Sequence, residues 1–598
     1  MTIKDGIFTG ETNGIGFWGR DSDIAIAGTQ TNSLFMRGTG QTVDIAGSDL
    51  GLVNINGQYA TPEDTRGNNL VNITASKMKE LRIMSGGYLA GRNTINLTDS
   101  DITADGVGVA IRIQDSGNNI VNVTNSVVRG TITSATTASW GDERDKPAKN
   151  VITLDNSHFE GKILTFISSD PDVLPPGSTI NMTNNTTWVA KGESNAETVN
   201  ITDSTVDLQD AVVKADSWHS ENTDVLINSE SLLNIGTGSG DMNVVIKSDG
   251  KELDILGKEI IRVESGEMAV EAGEVDLGAY KYELKYQDGK WVLVQKGSGE
   301  SENNTGGETE NNTGGEEEKE TGSTGGSGAV LSNSANAVLS ALAAPQAAWN
   351  SQTGAVYERL NSRLPQDEGS VWGTYYGHEW AGEAGLSSTF NQKISGMAIG
   401  ADKTLALDGG RLTLGAAVMH DQSHLSGFDT RGSGGSMNST AVHAYGRLDM
   451  DNGLFFGGTA SAGWSDTKLH ATSTDGAVAR GDVRQTLTGL TGQAGYRYQL
   501  TEEVYVAPYA RMDGYSASGT GFSLSNGMKV KSDRYWSARG ELGVEAGVST
   551  TLGGMAVTPH LMVAGGHEFV KTNDVHLNGL GRGFNNTVDG SGYRMGAG

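Results

Sequence analysis

Along residues 371–598 the chain alternates apolar and polar side chains with a period of two. Glu541–Ser549 sets Leu542, Val544, Ala546 and Val548 on one face and Glu541, Gly543, Glu545, Gly547 and Ser549 on the other, which is the pattern of a β-strand. Val504–Asp513 divides the same way, with Val504, Val506, Pro508, Ala510 and Met512 against Tyr505, Ala507, Tyr509, Arg511 and Asp513. Phe456, Gly458, Ala460, Ala462 and Trp464 alternate with Gly457, Thr459, Ser461 and Gly463. A soluble sandwich also shows one apolar face. Here the opposite face repeatedly carries Arg, Asp, Glu, Gln and His, and many segments reach the roughly 9–11 residues that a tilted strand needs to cross a bilayer. The pattern predicts an outer-membrane β-barrel, apolar side outward.

A different rhythm runs through residues 1–255. A short motif recurs as VNITASKM from Val71, INLTDSDI from Ile95, VNVTNSVV from Val121, ITLDNSHF from Ile152, INMTNNTT from Ile180, VNITDSTV from Val199 and VLINSESL from Val225. The steps between starts are 24, 26, 31, 28, 19 and 26 residues. Each copy places β-branched or aliphatic residues two apart and follows them with an Asn/Asp-Ser turn. A steady repeat of this length signals a solenoid, so the expected fold is a right-handed parallel β-helix. Ser134–Lys149, inside the longest step, is expected to be a surface loop. The Asn-X-Thr triplets are read as turn chemistry.

Residues 256–296 form a more continuous β segment. Val275, Leu277, Tyr280, Tyr282, Leu284, Trp291 and Leu293 are expected to close the C-terminal end of the solenoid, whose last strand would otherwise expose unpaired backbone and apolar surface. Gln287-Asp288-Gly289 supplies a hairpin turn. Residues 297–331 consist largely of Gly, Ser, Thr, Asn and Glu, with ENNTGGE nearly duplicated; they bury no core, and their like charges keep them extended, as a spacer. Residues 332–366 are alanine-rich and favour a helix, with Pro345 expected to kink it or break it in two. A barrel of about a dozen strands has a lumen only slightly wider than one helix, so a thin helix of small side chains is expected to thread the barrel of residues 367–598.

Composition narrows the reading. At 598 residues the chain holds two or more units. It has no cysteine, which removes disulfides and thiolate metal sites and suits passage through an oxidising periplasm. Glycine at 85 and proline at 9 point to tight turns and close backbone packing in β structure. A net charge of −28, from 72 acidic and 44 basic residues, argues against nucleic-acid binding. No apolar run is long enough for a transmembrane helix, and the opening MTIKDGIFTGETNG lacks the basic and apolar regions of a secretory signal.

The order of these parts resembles the type Va autotransporters, in the style of pertactin and the AIDA-like adhesins, over nearly the whole chain. The resemblance rests on VDLGAYKYELKYQDGKWVLV (Val275–Val294), similar to the family's autochaperone end, and on Ser334–Leu360, similar to its pore helix. It rests also on VWGTYYGHEW from Val371, and on Gly396, Gly400 and Asp402 in GMAIGAD, similar to the second barrel strand. It implies a passenger carried to the bacterial surface through or beside its own barrel, with folding of the cap helping to draw it out. The implied partners are outer-membrane lipid, the barrel-assembly machinery and periplasmic chaperones, and no cofactor. Two departures stand out: there is no signal peptide, and GYRMGAG begins only a tenth strand, whereas the family's barrels have twelve and finish on an aromatic residue. The expectation is a fragment truncated at both ends that does not close a barrel, since an open sheet edge in lipid leaves backbone groups unpaired. Members that cut themselves inside the pore use an Asn-Asn in the helix; here Asn333, Asn336 and Asn350 stand singly, so that release is not expected.

Catalytic chemistry is hard to find. Asp115-Ser116-Gly117 sits in a repeat turn with no histidine close in sequence. His158 and His219 precede the barrel without a partner at metal spacing and read as rung or loop residues. Gly236–Gly240 follows a strand-like LLNI but opens no helix, which argues against a phosphate loop. Arg480-Gly481-Asp482, between two predicted strands and open to an outside-loop position, has the form of an integrin motif but reads as a chance tripeptide. The expected function is a non-enzymatic passenger on a Gram-negative surface, an adhesin or self-association factor whose Thr, Asn and Ser ladders meet a host receptor, a glycan or another copy. The alternative is an autotransporter whose enzyme, a protease or esterase, precedes these residues.

Overall fold

The computed structural model describes residues 1–597 except 9–13, 57–67, 85–92, 115–117, 136–148, 166–176, 229, 253–256, 298–328, 362–368, 384–388, 553–554, 582 and 589. Most of the expected 134–149 loop, most of the spacer and the Asp115-Ser116-Gly117 turn therefore lie outside the described residues. The chain divides into two compact units.

The N-terminal unit (Met1–Lys247, Ile255–Glu274 and Glu283–Val294) is a coil of parallel strands. Ile24, Val43, Val71, Ile95, Val121, Ile152, Ile180, Val199, Trp218 and Gly238 stack in register, each paired with the next. Every repeat step read from Val71 to Val199 is thus one turn of the coil. The last step is corrected: Val225 pairs with Val206 on a different strand of the turn, and Trp218 stacks on Val199. The interior selects for volume, so a fully buried Trp218 replaces the β-branched residue that the motif uses elsewhere. Gly236–Gly240 lies within the strand Leu232–Ile246.

The motif has a physical reason. Ala75, Asp99, Asn125, Asn156, Asp203 and Asn222 adopt φ of 45 to 50°, the left-handed region that Asn and Asp tolerate best among residues with side chains. The residue that follows, serine or, after Asn222, Thr223, is buried. Ser76 N–H donates to Ser100 Oγ at 3.2 Å, Ser100 N–H to Ser126 Oγ at 2.9 Å, and Ser126 N–H to Ser157 Oγ at 3.1 Å. A second buried ladder, which the motif does not announce, joins the side-chain amides of Asn69, Asn93, Asn119 and Asn150 at 2.9 to 3.0 Å. Both ladders satisfy polar groups that would otherwise cost about 1–3 kcal/mol each.

Glu259–Ala272 continues the coil as a parallel strand, and Lys290–Gln295 then pairs antiparallel to its Glu259, Ile261 and Arg262. Asp288 and Gly289 have φ of 50° and 81°, the backbone of a two-residue hairpin turn. Leu284 and Leu293 are buried in this end, and Trp291 sits 5.4 Å from the Tyr286 ring. Of the seven residues expected to cap the coil, Leu284, Trp291 and Leu293 fall in the N-terminal unit, and Val275, Leu277, Tyr280 and Tyr282 fall in the C-terminal one.

The C-terminal unit (Ser248–Asp254, Val275–Tyr282 and Gln295–Gly598) is built on ten antiparallel strands. They are β1 (Gly369–Glu383), β2 (Thr389–Leu407), β3 (Gly410–Ser426), β4 (Gly434–Met450), β5 (Leu454–Thr472), β6 (Val478–Tyr496), β7 (Val504–Ala517), β8 (Tyr535–Val548), β9 (His560–Glu568) and β10 (Gly590–Ala597). The sheet runs from β1 to β10 in sequence order, with β1 and β10 as its edges among the described residues. Period two holds with the polarity expected: Leu542 is 71% exposed and Val544 46%, while Glu541 is 2% and Glu545 3%. Aromatic rings on the inner face lie over glycines directly across the ladder: Trp372 over Gly400, Tyr376 over Gly396, Tyr445 over Gly415 and Tyr509 over Gly543. A Cβ at Gly400 would come within 2.5 Å of the Trp372 ring, so the glycines are what let the rings lie flat.

Arg480, Gly481 and Asp482 lie inside β6, paired with His470, Leu469 and Lys468, so their placement on a loop is corrected. The strands here outrun the apolar segment that marked them.

One helix, α1 (Asn333–Asn361), packs along the concave face and is buried for most of its length. The expected break at Pro345 does not occur. The wall supplies partners on both sides of the proline, which offsets the roughly 3 kcal/mol that it costs inside a helix. Among the described residues no helix is long and apolar enough to cross a membrane.

Candidate functional site

Four polar side chains fix α1 in the lumen. Gln346 Nε2 donates to Ser537 Oγ at 3.0 Å and to Glu568 at 3.1 Å, while Gln346 Oε1 accepts from Tyr535 O–H at 2.5 Å. Gln352 Nε2 donates to Asp421 at 2.5 Å and Ser439 at 3.1 Å, while its Oε1 lies 3.1 Å from His443 Nε2. Arg359 makes a two-pronged ion pair with Asp402 at 2.9 and 3.0 Å, and Ser370 and Tyr445 hydroxyls donate to the same carboxylate. Asn361 donates to Glu545 at 2.6 Å and accepts from Arg447. Between these anchors the Tyr357 ring faces the Arg511 guanidinium at 5.3 Å, and Arg511 and Arg594 share Glu541 at 3.1 and 3.0 Å.

Asp402, Gly400 and Gly396, picked from sequence, thus fall at the seat of Arg359 and under two aromatic rings. The four anchors were missed, because a run read as small side chains drew attention away from the isolated Gln346, Gln352 and Arg359 that interrupt it.

The two ends of the barrel differ. Short turns after residues 407 and 450 lie at one end, while the other carries the connections 473–477, 518–534 and 569–589, with a small sheet of Thr520–Ser523, Lys529–Ser532, Asp574–Leu577 and Phe584–Asn585. Outer-membrane barrels keep short turns on the periplasmic side and long loops outside. Asn333 Nδ2 donates to Thr472 O at 2.7 Å, so α1 begins at the outer end; Asn361, bonded to Arg447 and Glu545, ends at the inner one.

On the coil, the outward residues of one sheet form columns: Thr94, Asn96 and Thr98 pair with Ile120, Asn122 and Thr124, and Thr179, Asn181 and Thr183 stack farther along. Asn72 donates to Asp44 at 2.8 Å, Asn96 to Asn72 at 2.9 Å and Asn122 to Asn96 at 2.9 Å. This is a strip rich in hydroxyls and amides, interrupted by Ile120, Val151, Asp44 and Asp155, with one rung per 4.8 Å or so. His219 takes part in it, with Nδ1 2.9 Å from Ser239 Oγ, while His158 occupies a rung between Val127 and Thr187. Among the described residues no three ligand-type side chains are grouped to hold a metal.

Residues 371–598 match the Autotransporter beta-domain family. Autotransporter CRAC of Citrobacter rodentium is 28% identical over 387 residues, covering 63% of this chain and 23% of that protein. The pertactin autotransporter of Bordetella bronchiseptica is 30% identical over 52% of this chain and 36% of its own length. Autotransporter adhesin/invasin TibA of Escherichia coli is 24% identical in an alignment covering 97% of this chain and 64% of that protein. Residues 371–598 are therefore an autotransporter beta-domain, a barrel of the outer membrane, with the coil at the surface. It spans less than two thirds of each of these relatives.

Proposed function

We propose that the chain is a type V secretion autotransporter that displays its own β-coil, and that the coil works without catalysis as an adhesin or self-association factor. The observation that carries this is the Thr/Asn strip. A regular array rich in Thr and Asn offers many similar weak contacts, which suits a glycan, a matrix protein or a second coil. The TibA name, adhesin/invasin, supports the same reading. In this reading outer-membrane lipid, the barrel-assembly machinery and periplasmic chaperones are partners in assembly, residues 256–296 help the coil to fold, and the coil stays tethered.

The test is surface display of the full-length protein in an outer-membrane host, with whole-cell antibody labelling, a settling assay and a host-cell attachment assay. Replacing Asn96 and Asn122 by Lys puts charge into the strip without touching the core. The expected result is unchanged labelling with settling or attachment reduced at least about tenfold, as befits loss of multivalent contact. Full settling and attachment in the variant would reject the strip as the adhesive surface.

A further inference from the structure

Two short segments that precede the helix in sequence fold as part of the barrel unit. Ser248–Glu252 and Val275–Tyr282 dock on its outer-end connections through bonds that alternate direction. Asp276 N–H donates to Thr474 Oγ1 at 3.1 Å, and Thr474 N–H returns a bond to Asp276 Oδ2 at 2.9 Å. The other oxygen, Oδ1, accepts from Asn333 N–H at 3.2 Å, in the first turn of α1. A helix leaves its first N–H groups without intrahelical partners, and a carboxylate there also meets the positive end of the helix dipole. Asp276 is therefore a cap delivered from a separate strand, and it is 2% exposed.

The neighbouring contacts point the same way. Ser332 Oγ donates to Gly278 O at 2.7 Å, and Ala279 N–H donates to Glu252 at 2.6 Å. Asn578 reaches Gly250 O at 2.8 Å, Gly250 N–H donates to Asn526 O at 3.2 Å, and Ser248 N–H donates to Asp475 at 2.8 Å. Tyr280 packs on Phe584 at 5.8 Å between ring centres. Three of the outer connections, 473–477, 518–534 and 569–589, are engaged at once.

We propose that Ser248–Glu252 and Val275–Tyr282 form a collar that locks onto the outer mouth of the barrel, with Asp276 as its keystone. It caps α1, holds the helix in the lumen and closes the outer end around it. The collar is independent of what the coil binds, and it goes beyond the display function by supplying the step that ends export. A strand still in transit cannot make these bonds, because Asp276 must meet Thr474 of the outer connection and Asn333 of the seated helix at the same time. Closure therefore follows the seating of both.

The chain has no cysteine, so a reporter disulfide is clean. In the full-length protein, Ser248→Cys with Asp475→Cys is oxidised on intact cells, and the cross-linked fraction is counted only in molecules whose barrel keeps its heat-modifiable mobility. The expected result is efficient cross-linking, reduced at least about fivefold by Asp276→Ala or Thr474→Ala, each of which removes buried hydrogen bonds, and unchanged by Lys214→Ala on the coil. Planar-bilayer current through the same purified proteins should rise in the two collar variants. Absent cross-linking in the folded, surface-labelled protein, or cross-linking and current indifferent to Asp276→Ala, would overturn the collar; surface labelling and settling report separately on the display function.

Discussion

The coil and the barrel use the same period of two with opposite signs. In the coil, Val121 and Ile95 point inward and are fully buried, while Asn96 and Asn122 face water. In β8, Glu541 points inward to Arg511 and Arg594, and Leu542 beside it faces out. The period announces a strand; which face is apolar announces the solvent. Coil strands also stack parallel on their own sequence repeats, whereas barrel strands pair antiparallel with sequence neighbours, so only the coil carries ladders of identical residues.

The sharpest way to break this contrast is to reverse it locally. Exchanging Glu541 and Leu542 in a double variant keeps the composition but buries an apolar group among arginines and puts a carboxylate in lipid. The expected loss is about 5 kcal/mol or more, from unpaired buried charge plus lipid exposure, read as failure to recover heat-modifiable barrel. Val121→Asp places a carboxyl inside the dry coil and should cost about 4 kcal/mol or more, seen as protease sensitivity of the coil with the barrel intact. Glu541→Ala alone removes the carboxylate shared by Arg511, Arg539 and Arg594, leaving Arg511 only Asp513, and should cost about 3–5 kcal/mol in urea unfolding of the barrel. Ser126→Ala deletes one rung of the serine ladder and leaves the Ser100 N–H without its acceptor; about 1–2 kcal/mol of coil stability should be lost, with nothing lost from the barrel.

The smallest effect concerns the collar. Burial holds the Asp276 carboxyl above the usual carboxylate range; Lys281 and the N–H groups of Asn333 and Thr474 pull it down, and Asp475 adds to the rise. An acid whose pKa is raised on docking binds its proton more readily docked than free. Docking therefore strengthens as pH falls from neutral through the raised value and levels off below the ordinary Asp range, so the residual bilayer current should be smaller at pH 5 than at pH 7.

Much of this was legible because strand polarity and repeat spacing are local signals. The alternation at Glu541–Ser549 names both faces of β8 on its own, and the VNIT-type motif aligns the turns from Val71 to Val199. What failed was long-range or tolerant of substitution. Trp218 and Gly238 occupy the same column as Val199 but share none of its shape, so the motif slipped to Val225. Pro345 breaks isolated helices, yet here the lumen wall overrides propensity. The partners of Val275–Tyr282, such as Thr474 and Phe584, lie hundreds of residues away, and Asp276 in VDLGAY carries no local mark of a helix cap. The lumen anchors were visible only as a few polar letters in an alanine-rich run, and their meaning depends on partners from β2 to β9.

The most direct test of the central claim is cysteine accessibility in this cysteine-free chain. Single substitutions Asn96→Cys on the coil, Arg431→Cys in the connection after β3 and Asp451→Cys in the short turn after β4 would each be exposed to a membrane-impermeant maleimide on intact cells. The account predicts labelling of the first two, and of Asp451→Cys only after the outer membrane is permeabilised. Labelling of Asp451→Cys on intact cells, with Asn96→Cys protected, would contradict it.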